Sequence, residues 1–292
     1  MNKKISKNKQ TSYAAAIIEN RAAKFLVYIM LIIIVLIVFI PLVIVFFASF
    51  KTNAEYMTSG VFQLPESFLN FENFTTAFVK GRFLTGFKNT TILVVISVFG
   101  SCLMGTMVAY ALSRFDFRLR KSVLFLFMIP LVVPAITTQV ATFSVIKALG
   151  IFNTIYAGML LYIATDIVAI YVFLQYVTKI PKSLDESGMI DGASYFRIFF
   201  SIIVPQMKPA IVTMAIIKAI SVYNDIFIPY IYMPKSTLRT VATTIRYFSQ
   251  EKNSQWELMA AAIILAMIPT LIAYIFSQKF IISGLTQGAV KE

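Results

Sequence analysis

The sequence predicts an all-α, polytopic membrane protein with six transmembrane helices, and three observations carry that expectation. First, 59% of the 292 residues are hydrophobic and only 13% are charged, with a mean hydropathy of +0.80, outside the range of soluble globular domains. Second, six predominantly apolar windows can be drawn, each close to the ~20 residues a helix needs to cross a bilayer. Third, runs such as LVYIMLIIIVLIVFIPLVIVFF lack the alternation of apolar and polar residues that marks a strand of a membrane β-barrel. The net charge of +13 is scattered along the connections instead of forming one stripe, so nucleic acid is not expected as a partner.

Residues 1–24 are a basic segment whose Ala-rich end, YAAAIIENRAAK, reads equally as a helix lying on the membrane surface or as an unstructured tail. The first window, Phe25 to Phe47, is longer than the ~7–15-residue apolar core of a cleavable signal peptide and is expected to stay as an anchor. The segment Lys51 to Asn89 follows, and the aromatics of its FLNFENFTTAF run suit a membrane interface. The second window, Thr90 to Leu112, holds the lone Cys102, which has no partner for a disulfide and is expected to face lipid or to pack. It ends in AYALSRFDFRLRK, where Arg114, Arg118, Arg120 and Lys121 are expected to hold the helix end at an anionic membrane surface, each worth about 1 kcal/mol.

The third window, Ser122 to Val145, contains Pro130 and Pro134, which remove backbone donors and predict a kink facing protein or a pathway. The fourth runs from Tyr156 to Val177, the fifth from Ala210 to Tyr232, and the sixth from Leu258 to Ile282, leaving 283–292 as a short tail. With the amino terminus inside, sixteen Lys and Arg fall on inner segments and nine on outer ones. That bias places both termini, and the polar segment between the fourth and fifth windows, in the cytoplasm.

That polar segment, DESGMIDGASYFRIFFSIIVP over residues 185–205, is the most informative stretch of the chain. Ser183 is expected to cap a short helix whose first turn carries Asp185 and Glu186, carboxylates that favour the positive end of the helix dipole. Gly188 is expected to loosen that helix by about 1 kcal/mol relative to alanine. Gly192 permits a sharp turn, and Ala193 and Ser194 permit close approach of another surface. Tyr195, Phe196, Phe199 and Phe200 then put rings on a second helical piece that suits a helix-in-groove contact, before Pro205 ends the segment.

The spacing of Glu186, Gly192, Ile202 and Pro205 resembles the coupling-loop signature of the membrane subunits of binding-protein-dependent ABC importers. That signature reads Glu-Ala-Ala, three residues, Gly, nine residues, Ile-x-Leu-Pro; here Ser187 and Gly188 replace the alanines and Val204 the leucine. The run Ala109-Tyr110-Ala111-Leu112, with Arg114, Phe115 and Phe117, resembles a second family motif. The outer Leu69, Asn70, Phe71, Asn73 and Phe74 are similar to a looser one. The ending Gly284-Leu285, then Gly288-Ala289-Val290-Lys291, is similar to that of carbohydrate-importer permeases, and YNDIFIPYIYM resembles their Trp-Asn-Glu/Asp-Phe-x-x-Pro site with Tyr223 in place of tryptophan.

The resemblance implies a type I (MetI-like) permease fold over residues 25–282, in the plasma membrane of a bacterium, with residues 183–205 as its contact to an ATPase. The implied contact residues are Asp185, Glu186, Ser187, Gly188, Asp191, Gly192, Ala193, Tyr195, Phe196 and Pro205. It also implies a second, homologous permease as heterodimer partner, an ABC ATPase dimer, an extracytoplasmic solute-binding protein and a saccharide cargo. No GxxxxGK[ST] phosphate loop is present, so the chain is expected to bind no cofactor, with ATP and Mg used by the ATPase. Histidine is absent and no metal-ligand cluster is spaced along the chain, so no enzymatic role and no catalytic residue are expected.

Ionisable groups inside windows are costly, at least about 2.5–3.5 kcal/mol each, and therefore mark candidate pathway residues. Asp166 is either a hydroxyl acceptor on the path or an interhelical partner, and Lys218 pairs or snorkels. Tyr223, Asn224 and Asp225 are candidate saccharide contacts near the outer half. A different small polar solute such as glycerol phosphate, or an autonomous secondary transporter, are the rival readings; the latter usually shows inverted repeats and paired intramembrane charges, and no repeat is visible in this chain.

Overall fold

A computed structural model describes residues 21–163, 166–249 and 255–289, and among these the chain is helical with no strand. The first long helix, α1 (Arg21–Phe50), is apolar on every side, and from Phe25 to Ile40 it stays exposed, as a helix bathed in lipid would. Only its far end enters the bundle, where Ala48, Ser49, Phe50 and Lys51 are buried. The orphan carbonyls of that end are met by side chains from the following segment. Asn73 Nδ2 donates to Ser49 O (2.9 Å) and Lys51 O (2.7 Å), and Asn70 Nδ2 to Phe50 O (3.1 Å). Phe50, Phe68, Phe71 and Phe74 close over this cap with ring centroids 5.1–5.8 Å apart. The FLNFENF run thus builds a plug on α1, a more specific role than resting at an interface.

Two short helices, α2 (Asn53–Thr58) and α3 (Glu72–Lys80), lead into α4 (Phe83–Arg114), which is the hub of the bundle. Its buried face carries Ser97, Ser101, Gly105, Ala109 and Ser113, small residues repeating every fourth position, which let other helices approach closely. Phe173 fills the space over Gly105: a Cβ there would lie 3.1 Å from the ring. Gly105→Val is therefore expected to destabilise the protein by about 1–3 kcal/mol through overpacking. Thermal unfolding in detergent checks this, with Gly60→Ala, which meets nothing within 4 Å, as the neutral control.

The predicted windows exist but most are broken. Three helices are long and apolar enough to cross a membrane, Ala23–Phe50, Phe83–Arg114 and Trp256–Gln278, and two bent pairs raise the number to five, so six separate spans are not established. The third window divides into α5 (Arg120–Val132) and α6 (Ala135–Ala148) at Pro134, as two prolines in one helix dictate. The fourth divides into α7 (Ile155–Ile163) and α8 (Ile167–Lys179). Helices α9 (Ser183–Ile190) and α10 (Tyr195–Ile198) occupy the polar segment, followed by a π turn over Phe199–Ile203 and α11 (Val204–Gln206).

The fifth window becomes α12 (Lys208–Asn224) and α13 (Phe227–Tyr232), bent by 77° away from the preceding 195–206 piece. After α14 (Val241–Ser249), α15 (Trp256–Ala289) continues beyond the predicted boundary at Ile282 through most of the tail. The Ala-rich amino-terminal piece up to Asn20, and Val290 and Lys291 of the terminal motif, lie outside the described residues. Cys102 packs in the core with Ala109, Tyr110, Phe173 and Met214, which settles its two readings in favour of packing.

Candidate functional site

The polar segment folds as two helices about a turn, and the turn chemistry is complete. Asp191 caps α9, and Gly192 follows with φ of 77°, in the left-handed region that favours glycine. Gly192 N donates to Met189 O (3.0 Å) and Ala193 N to Gly188 O (2.9 Å), the paired bonds of a Schellman ending. Ser194 then caps α10, its hydroxyl accepting from Arg197 N at 3.4 Å. One sequence expectation fails here and another is extended. Ser183 does not cap; it is the first helical residue after Lys182, and no side chain caps α9. Gly188 is a contact point as well as a weak spot in the helix, since a Cβ there would lie 2.9 Å from Ile198 Cγ1.

The segment has two faces. Ile198, Phe199 and Ile203 are buried in the core cluster with Tyr110, Phe173 and Val177. Glu186, Ser187, Met189, Ile190, Asp191, Gly192, Tyr195 and Phe196 are exposed, Ile190 by 85% and Phe196 by 68%; Ala193 is half-buried and Pro205 exposed. Asp185 belongs to the inner face. Its Oδ1 accepts from Tyr110 Oη (2.8 Å) and its Oδ2 lies 3.0 Å from Arg114 Nε, with the two charged side chains 6% and 7% exposed. Arg114 was expected at the membrane surface; a second of its nitrogens, Nη2, instead donates to Ile180 O at the end of α8 (2.9 Å). Arg120 pairs with Asp116 at 3.2 Å on the exposed side.

Deeper in the bundle the ionisable groups pair off within the chain. Lys218 Nζ lies 3.5 Å from Asp166 Oδ2, while Asp166 Oδ1 accepts from Ala169 N (3.2 Å) and caps α8. Asp225 Oδ2 accepts from Tyr162 Oη (2.8 Å) and its Oδ1 from Phe227 N (2.7 Å), bridging the break between α12 and α13. Tyr223 Oη donates to Ala266 O (2.8 Å).

Of the four candidate pathway residues, Tyr223 and Asn224 line a cleft together. It measures about 380 Å³ and is walled by Thr90, Thr91, Thr270 and Tyr274 as well. Sequence reasoning missed these four, because hydroxyl residues inside apolar helices carry no charge signal. A wider apolar cleft of about 760 Å³ adjoins it between α4 and α12, and Val94, Ile216 and Ala219 line both. Beyond the spans, Arg246 stacks on Tyr230 (3.8 Å) and Arg239 on Tyr247 (4.2 Å), and burial lowers the pKa of Arg239 from its usual value. No cluster of His, Cys, Asp and Glu that would hold a metal occurs among the described residues.

A family profile described as binding-protein-dependent transport system inner membrane component matches residues 101–287. The chain is 32% identical over 272 residues to the probable starch degradation products transport system permease protein AmyC of Thermoanaerobacterium thermosulfurigenes, covering 92% of this chain and 97% of that one. It is 29% identical to the melibiose/raffinose/stachyose import permease MelC of Bacillus subtilis (89% and 94% covered) and 29% identical to the maltodextrin permease MalD of Streptococcus pneumoniae (94% and 98%). Its fold matches a chain in the crystal structure of a bacterial transporter that imports the acidic polysaccharide alginate, with a TM-score of 0.79 at 23% identity over 89% of this chain and 98% of the other.

Proposed function

Since the chain belongs to the family of inner-membrane components of binding-protein-dependent transport systems, we propose that it is the translocation subunit of an ATP-driven ABC importer for a sugar or oligosaccharide. It is not an enzyme: its relatives are permease proteins, and the sequence has no phosphate loop. The observation that carries the coupling role is the outer face of residues 183–205, where carboxylates and exposed rings stand beside a Schellman turn fixed by Gly192. Glu186, Ser187, Asp191, Gly192, Ala193, Tyr195 and Phe196 form the surface offered to an ABC ATPase dimer, which binds and hydrolyses ATP with Mg on the cytoplasmic side.

A second, homologous permease completes the pathway, with membrane lipid around both and a solute-binding protein delivering cargo from outside. Both termini lie in the cytoplasm, as the charge bias directs. ATP binding closes the ATPases, the 183–205 surfaces follow, and the helices rock between inward-open and outward-open states. Saccharide cargo is supported by relatives named for starch degradation products, for melibiose, raffinose and stachyose, and for maltodextrin. It is also supported by the cleft beside Tyr223 and Asn224, whose polar groups are uncharged hydroxyls and an amide. Lys218, midway along α12, is held by Asp166 and is not left free for an anionic cargo such as glycerol phosphate.

The test is affinity purification from the native membrane followed by reconstitution. Recovery of an ATPase and a second permease, with import that needs ATP and a binding protein, is expected; import by this chain alone would refute the reading. Asn224→Ala and Tyr274→Phe are each expected to raise the half-saturating cargo concentration about fivefold, the value of one neutral hydrogen bond. Titration of import against cargo-loaded binding protein measures it.

A further inference from the structure

We infer that Tyr110, Arg114 and Asp185 form a buried clamp that fastens the coupling surface to the inner end of α4, so that ATPase motion enters the bundle through this helix. The inference rests on the coupling reading above, and it assigns Asp185 to the interior and not to the ATPase contact. Tyr110 and Arg114 stand four residues apart on α4, hence on one face. Both reach the same carboxylate, one oxygen each, at 2.8 and 3.0 Å. Beside this ion pair, Arg114 Nη2 donates a hydrogen bond to Ile180 O at 2.9 Å, which brings in the end of α8, so one guanidinium joins three elements. Rings fasten the other half of the segment to the same place: Phe115 lies edge-on to Tyr195 at 5.0 Å, and Tyr110 meets Phe199 at 5.3 Å.

Both pieces of the coupling segment are therefore tied to the last turn of α4. The same helix, about one to three turns before Tyr110, supplies Thr106, Leu103, Cys102 and Phe99 to the wall of the 760 Å³ cleft. Displacement of the outer face has a short, stiff route to that wall. Arg114 and Tyr110 are positioning residues, and Glu186 and Asp191 are the carboxylates left to face the ATPase.

The test compares Asp185→Asn, Arg114→Lys and Glu186→Gln in the whole importer, with permease pair, ATPase and binding protein, reconstituted in vesicles. Asp185→Asn is expected to keep ATPase recovery and hydrolysis within about twofold of the parent while import falls about tenfold, raising the ATP used per cargo. Arg114→Lys, which keeps the charge but not the two-sided reach, is expected to fall between, and Glu186→Gln to lower ATPase recovery itself. Equal loss of ATPase recovery in Asp185→Asn and Glu186→Gln would make Asp185 a partner contact and overturn the clamp. An unchanged ratio of hydrolysis to import in Asp185→Asn and Arg114→Lys would overturn it too. Absence of any ATPase from the parent preparation would sink the coupling reading instead.

Discussion

Gly192→Val is expected to abolish coupled import while leaving the protein inserted and folded. At φ of 77° the backbone sits where a side chain costs about 1–2 kcal/mol, and a β-branched one more. No atom lies within 4 Å of the position a Cβ would take, so the effect is conformational and not steric. The valine would be relieved by opening the turn, which breaks the bonds from Gly192 N and Ala193 N and swings Tyr195 and Phe196 off the shared face. Gly192→Asn, tolerated in the left-handed region, is expected to retain most activity, with alanine intermediate. ATPase co-purification and ATP-dependent import read the order Gly, Asn, Ala, Val; equal activity for valine and glycine would remove the turn from the mechanism.

Lys218→Met is expected to lower the stability of the membrane domain by about 3–5 kcal/mol, since it strands Asp166 as an unpaired charge that is only 20% exposed. Asp166→Asn in the same chain is expected to restore most of the loss, because asparagine still accepts from Ala169 N and needs no counter-ion. Unfolding followed in detergent, with the single and double variants in a cycle, measures the coupling. Additive losses would show that the two groups do not depend on each other.

Much of this architecture was legible in the residues because its causes are local. The length and apolarity of α1, α4 and α15, the break at Pro134 and the turn at Gly192 each follow from a few neighbouring side chains. The turn-and-helix segment 183–205 was legible as a spacing, yet the direction of each residue was not. Asp185 and Glu186 are chemically alike and adjacent, and only the arrival of Tyr110 and Arg114 from 75 and 71 positions earlier decides which one turns inward. Arg114 was misread as a surface anchor for the same reason. The breaks at Asp166 and Asp225 escaped notice because an aspartate that caps a helix within a span looks, in one dimension, like a charge waiting for cargo. The threonines and Tyr274 of the 380 Å³ cleft gave no signal at all, being ordinary residues brought together by two helices distant in sequence, α4 and α15.

The π turn at Phe199–Ile203 acts as a phase shifter in the chain. Val204 N reaches back five residues to Phe199 O, in place of the four of an α-helix, just where Pro205 can offer no N–H of its own. One residue of an α-helix is about 100° of rotation. The extra residue held in this loop therefore sets the angular register at which the chain enters the bend before Lys208, and with it which side of α12 turns Ile211 and Ile216 toward α4. A lineage that gained or lost one residue here would keep its composition, hydropathy and motifs and yet face a different wall to the cleft.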